Sequence, residues 1–391
     1  ISDILQVSIR RVGDEPPTAA IAEHKDNPDV FARATKARYK DSNFGDFTHF
    51  ECSPVAWREE ISASKVSMLV LAGWMDAGTA EGALLRLQNY ANPQKLVLMP
   101  TSHGGKAHSS PYVVSDQELP PLPSKEEQLQ LQLDFFDHYL KGEDKDVEDW
   151  PTVKYYNFGE EAFRTSENWP PDGQSRLKYY LAEDGDLEPS APTTANAADE
   201  YQVDFSTTTG VNNRWTTQMG KPILNLDKRN GMDSLMLTYT TAPLQEDLQL
   251  TGTPSVTLNM SSTHSEGAVL VYLEDVAPDG QSRYLTEGGL LLEHRKLSPN
   301  PLSNIIPYHS FEEKDAAPMP VNEVEEVTFK LWPTSVLIEK GHSIRIAIAG
   351  TDKDTFDRVP AEGTPSYTVH RSTAYPSFVD LPIIQASAAE N

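Results

Sequence analysis

The hydrophobic period changes near Trp150, and this change limits the chain to two architectures in series. Upstream, apolar residues come in unbroken runs: VSMLVLA at 66–72 and KLVLMP at 95–100. A run without polar alternation suits a strand covered on both faces, as in parallel sheets. Between the two runs Thr79 can cap a helix with Ala80, Leu84 and Leu87 on one face, and Pro93 ends the unit. Strand, helix, strand predicts a βαβ unit with a right-handed crossover. Downstream the period is two. Val256, Leu258 and Met260 alternate with polar residues, as do Val327, Phe329 and Leu331, and Ile344, Ile346 and Ile348. Alternation with PDG turn signals at 171–173 and 278–280 predicts antiparallel strands, hence a β-sandwich, in one form a jelly roll.

Smaller signals fill in the rest. Ser124 with Glu127 is a capping box, and Leu129, Leu133, Phe136 and Leu140 form a helical stripe that ends at Gly142. That stripe predicts a helix covering the sheet. EHKDNPDVFARATKARY predicts a polar helix with a narrow stripe at Val30, Phe31 and Ala34, read as a lid or cap element. The hexapeptide PDGQSR occurs at 171–176 and 278–283 with no longer repeat around it, so both copies read as turns entering strands. Residues 183–200 read as a polar surface loop and 297–322 as a proline-rich connection.

A chain of 391 residues exceeds one compact core, and two or three domains are expected. The net charge of −25 argues against nucleic acid, whose phosphates need a basic footprint, and against an anionic membrane surface. No apolar run approaches a membrane span. The first residue is Ile1, so the natural N-terminus, with any targeting segment, is expected to lie upstream. Cys52 is the lone cysteine, which excludes an intrachain disulfide and suits cytoplasm or periplasm.

Two residues carry candidate chemistry. Asp76 follows the first buried run and His103, in MPTSHGG, follows the second. Ligands of open α/β sheets bind at that edge, where loops from neighbouring parallel strands converge. There an Asp can fix one imidazole nitrogen and leave the other as a general base. Gly104 and Gly105 permit the sharp path such a loop needs. A plainer reading stands beside this one: an Asp after a strand often caps a helix, and a His before Gly-Gly is often a loop residue. In α/β-hydrolases the chain order is nucleophile, acid, histidine, but no G-x-S-x-G elbow is present. GHSIR at 341–345 follows both partners and lies in an alternating strand, so Ser343 reads as structural. Cys52 precedes them but lacks glycines and a preceding strand. His103 and His108 are not spaced as a metal pair, and neither a calcium loop nor a dinucleotide fingerprint appears. No cofactor is expected. Trp74 reads as packing.

AGWMDAGTAEGALLRL, NPQKLVLMPTSHGG and DFFDHYLKGED, followed by TAPLQEDLQLTGTPSVTLNMSS, LEDVAPDGQSRYLTEGGL and PTSVLIEKGHSIRIAIAG, together resemble the second half of CocE/NonD hydrolases, the cocaine esterase and X-Pro dipeptidyl-peptidase type. The resemblance runs from about residue 50 to the end. It implies the tail of a helical cap over 1–57, the C-terminal half of an α/β-hydrolase domain over 58–172 and a jelly-roll β-sandwich over 173–391. It implies that Asp76 is the triad acid and His103 the triad base of a serine hydrolase cutting an ester, an amide or a peptide. The half bearing the serine and the oxyanion groups is absent, so a companion segment or chain is expected to supply them, and the chain alone is expected to be inactive. Buried strands such as 66–72 would otherwise show an apolar edge. Members of the family often form oligomers, so a homo-oligomer is also expected. The alternative is a non-catalytic binding or structural β-sandwich with a degenerate hydrolase remnant.

Overall fold

The computed structural model describes residues 18–384 apart from 28, 30, 31, 33, 34, 44–47, 49, 114, 222 and 224. The chain divides into two compact units, Ile1–Ala56 with Phe311–Lys314, and Trp57–Ser310 with Asp315–Asn391. In the first, helix α1 (Thr18–Glu23) runs into a single 3₁₀ turn, His24–Asp26. Asn27 is then extended, at φ −64° and ψ 142°. It precedes Pro28, whose ring disfavours a helical residue before it. The polar helix expected across this stretch therefore breaks at Asn27; Val30, Phe31 and Ala34 lie outside the described residues. The Lys40 N–H donates to the Phe311 carbonyl at 2.7 Å and the Glu313 N–H to Asp41 Oδ1 at 3.0 Å, which joins the two pieces of this unit.

The second unit opens with α2 (Arg58–Ser64) and a four-stranded sheet in the order β1–β2–β3–β4. Strands β1 (Met68–Gly73), β2 (Gln94–Met99) and β3 (Val153–Asn157) are parallel; β4 (Ala162–Ser166) returns antiparallel. Helix α3 (Thr79–Asn89) connects β1 to β2 and buries Ala80, Ala83 and Leu84. Thr79 is its first helical residue rather than its cap; Gly78 holds the cap position, and the Thr79 hydroxyl donates to the Asp76 carbonyl at 2.8 Å. Leu96 and Leu98 of β2 are buried, whereas β1 is only half-buried from Met68 to Leu71. Its outer edge has no neighbouring strand among the described residues.

Helix α4 (Lys125–Lys141) has the predicted Ser124 capping box and ends at Gly142 in the left-handed region. Its packing differs from the expectation. Leu129, Leu133, Phe136 and Leu140 are 46–77% exposed, while Gln128 and Phe135 are buried. The Gln128 amide donates to the Gly105 and Pro123 carbonyls at 3.1 and 2.8 Å, which turns that face inward. Buried carbonyls need donors, which accounts for a polar residue on the inward face.

The remaining strands form one thirteen-stranded ladder. They are β5 (Gln174–Leu181), β6 (Asp186–Glu188), β7 (Ala198–Gln202), β8 (Leu237–Thr241), β9 (Leu248–Gly252), β10 (Ser255–Ser262) and β11 (Ala268–Val276). They continue with β12 (Ser282–Leu291), β13 (Glu325–Lys330), β14 (Thr334–Ile338), β15 (Ser343–Ala349), β16 (Ser366–His370) and β17 (Phe378–Ile384). Helices here are short, α5 (Asn230–Asp233) among them. All pairings are antiparallel except β6 with β8. Leu258, Val336 and Ile346, from three of these strands, are fully buried in one core cluster. Each such side chain contributes about 1.5–3 kcal/mol through burial. Both PDGQSR copies are turns entering strands, β5 and β12, with Gly173 and Gly280 at positive φ. The 183–200 stretch is not a plain loop; it holds β6 and the start of β7.

The two sheets are joined by buried polar contacts. Asn157 of β3 exchanges amide hydrogen bonds with Gln249 of β9 at 3.0 and 2.8 Å, and the Ser335 hydroxyl of β14 donates to Asn157 Oδ1 at 2.8 Å. The Tyr112 hydroxyl, on the connection after β2, donates to Asp275 of β11 at 2.8 Å. No helix among the described residues is long and apolar enough to cross a membrane.

Candidate active site

Strands β1 and β2 are parallel, with Gly73 opposite Met99, so the turns that follow them leave the sheet at the same edge. The turn after β1 carries Asp76; the loop after β2 carries His103 in a short 3₁₀ turn, His103–Gly105. Gly104 and Gly105 sit at φ 65° and 61°, as expected for the sharp path. A side chain on Gly105 would also strike the Gln128 amide at 2.5 Å. The loop is pinned beyond His103 as well: the Lys125 ammonium donates to the Gly104 carbonyl at 2.8 Å, and the Ser110 hydroxyl to Glu161 at 2.8 Å. His108, deeper in the loop, lies edge-on to the Tyr156 ring, 5.9 Å between centroids. Burial lowers its pKa, against the pull of Glu161.

Asp76 and His103 meet. His103 Nδ1 lies 3.1 Å from both carboxylate oxygens of Asp76. The Asp76 side chain is 7% exposed and that of His103 43%. A carboxylate with both oxygens facing Nδ1 selects the tautomer with its proton there, so Nε2 carries a free lone pair. The described residues give Nε2 no hydrogen-bond partner, and a groove of about 580 Å³ opens beside Asp76 and Gly104, the residue that follows His103. Asp76, Gly104, the β1 edge and Phe135 and Phe136 of α4 line it. Chemically the pair is a proton acceptor and donor near an open groove with a mixed polar and apolar lining.

The other candidates are not part of this pair. Ser343 is buried at the start of β15, opposite Val276 in the ladder. Cys52 is exposed and belongs to the first unit. Trp74 is packed, 1% exposed, against Trp169. No group of three or more His, Cys, Asp or Glu residues among the described residues could hold a metal ion. Two contributors to the site were invisible in the sequence: the Gln218 amide donates to Asp76 Oδ1, and the Arg214 guanidinium donates to the Trp74 and Ala77 carbonyls. They lie about 140 residues downstream in a polar stretch, where no spacing marks them.

The closeness of the two loops makes a test. A Cβ on Gly73 would lie 2.2 Å from the Thr101 carbonyl oxygen. Gly73→Ala is expected to lower stability by about 1–3 kcal/mol, read as a shift of the urea midpoint, because backbone must yield.

An acid–histidine pair thus stands at the carboxyl edge of parallel strands, in a unit dominated by a large antiparallel sheet, and comparison with known proteins gives the family. A profile described as the X-Pro dipeptidyl-peptidase C-terminal non-catalytic domain matches residues 145–380. A provisionally named serine esterase of Mycobacterium bovis is 38% identical over 337 residues, 85% of this chain and 52% of that protein. Cocaine esterase of Rhodococcus is 23% identical over 84% of this chain and 58% of its own length. A CocE/NonD family hydrolase of Staphylococcus aureus has the same fold, with a TM-score of 0.68 at 18% identity over 94% of this chain and 62% of that one. The chain belongs to the CocE/NonD hydrolase family, and its residues 145–380 to the C-terminal domain just described. It spans about half the length of the curated relatives it matches. Asp76 and His103 lie outside the segment that the profile calls non-catalytic.

Proposed function

We propose that this chain carries the acid and base of a serine hydrolase that cleaves an ester or amide, and that a companion segment supplies the serine. The observation that carries the reading is the 3.1 Å contact of His103 Nδ1 with both oxygens of Asp76, a residue that lines an open groove. In this reading Nε2 takes the serine proton as the hydroxyl attacks the carbonyl, then delivers it to the leaving group. Asp76 holds the ring and stabilises the imidazolium, and backbone N–H groups of the companion segment bind the oxyanion. The half-buried β1 edge and the outward stripe of α4 support a companion that pairs with β1 and covers Leu129, Leu133 and Phe136. The four-stranded sheet is then one half of an α/β-hydrolase sheet, and the large ladder a jelly roll that buttresses it.

The test is a fluorophosphonate probe applied to the protein together with the segment bearing the nucleophile, with the label located by mass spectrometry. Label on one serine of that segment, lost in His103→Ala, is the expected result. A folded, assembled sample that takes no label would refute the proposal and favour a non-catalytic β-sandwich with a hydrolase remnant.

A further inference from the structure

The turn that presents Asp76 is strained. Ala77 has φ 43°, in the left-handed region that a residue with a Cβ seldom enters. Such a conformation persists only where the surroundings over-determine it. Here the surroundings come from a distant piece of chain, Asn213–Gln218. The Ala77 N–H donates to the Arg214 carbonyl at 3.0 Å, while Arg214 Nη2 and Nε donate back to the Ala77 carbonyl at 2.7 and 3.1 Å. Nη2 also donates to the Trp74 carbonyl at 2.9 Å. One guanidinium therefore spans the turn on both sides of Asp76.

Arg214 is itself fixed. It is 3% exposed, with Nη1 donating to the Tyr284 and Thr286 hydroxyls of β12 at 3.2 and 3.4 Å. Asn213 accepts from the N–H groups of Trp215 and Thr216 and donates to Thr209, Gly210 and Thr355, which ties the segment to its surroundings. A 3₁₀ turn, Thr216–Met219, follows and carries Gln218, whose amide donates to Asp76 Oδ1. The donor is neutral, so it stabilises the carboxylate without competing with an imidazolium for its charge.

We infer that Gln218 and Arg214 are positioning residues for the Asp76–His103 pair: Arg214 fixes the turn and Gln218 fixes the carboxylate plane. The segment lies within residues 145–380, so a region described as non-catalytic orients the acid. The inference rests on the reading of Asp76 and His103 as acid and base.

The experiment is NMR of the chain with ring-¹⁵N histidine, the signal of His103 among the 10 histidines being assigned with His103→Gln. The wild type is expected to show one His103 tautomer, protonated at Nδ1, with a slowly exchanging ring proton. Asp76→Asn should abolish that signature. Gln218→Met keeps the side-chain length at an exposed position and removes the donor. It should lower the unfolding midpoint only slightly, as for one lost hydrogen bond, yet speed exchange of the ring proton about tenfold. If Asp76→Asn changes the signal and Gln218→Met does not, the positioning role is overturned and the pair stands. If Asp76→Asn changes nothing, the pair itself is overturned, and the inference with it.

Discussion

Asp76→Asn, assayed with the nucleophile segment present, lowers kcat about ten-thousand-fold and leaves KM within a few-fold of wild type. The amide keeps the shape of the carboxylate but presents an N–H to His103 Nδ1, now 3.1 Å from each oxygen. The ring then takes the tautomer with its proton on Nε2, where it cannot accept from a serine. The developing imidazolium also loses its counter-charge in a turn where the Asp76 side chain is only 7% exposed. Both effects arise during the chemical step, so they appear in kcat rather than in substrate binding. Steady-state kinetics on an activated ester checks this; a loss below tenfold would remove Asp76 from the acid's role.

The second large effect concerns stability. Arg229 and Glu274 form an ion pair at 3.1 Å with side chains 6% and 0% exposed. Burial pushes the Glu274 carboxyl up to about 8, against the pull of Arg229. Arg229→Met removes the counter-charge and is expected to cost about 3–5 kcal/mol at about pH 9, where Glu274 is ionised in the wild type, whereas Arg229→Met with Glu274→Met should recover most of the loss. The pH dependence has a definite sign. The folded pKa of Glu274 lies above its ordinary value, so the folded state holds the proton more tightly than the unfolded chain. Stability from this group is complete below the ordinary carboxyl range and is lost as the pH rises through about 8. Without Arg229 the charged form is opposed further, so the deficit of the single variant should widen between about pH 5 and about pH 9. Urea midpoints of wild type, single and double variants at the two pH values measure it. A single variant as stable as wild type would show that the pair is solvated.

Much of the fold was legible in the residues. VSMLVLA and KLVLMP became parallel β1 and β2, and the alternating segments around Leu258, Phe329 and Ile346 became β10, β13 and β15. Period and turn chemistry are local, so a single sequence displays them. Helix α4 marks the limit. Its capping box and terminal glycine were read correctly, but its face was not: Gln128, a polar residue, packs inward because two buried carbonyls need its amide. Hydrogen-bond demands of a neighbouring loop are not written into the helix that satisfies them.

The site divides the same way. Chain order and glycine spacing brought Asp76 and His103 to one sheet edge, because parallel pairing of adjacent strands turns sequence order into spatial neighbourhood. The partners of that pair come from elsewhere. Arg214 and Gln218 reach the acid turn through the packing of the large antiparallel ladder on the small sheet, a contact between residues about 140 positions apart. The sequence by itself therefore determined most of the elements, the family and the two residues at the strand ends, since each rests on short-range pattern. Only the tertiary structure decided which face of α4 is buried and what holds Asp76 in place, since both depend on polar groups that meet after the chain has folded.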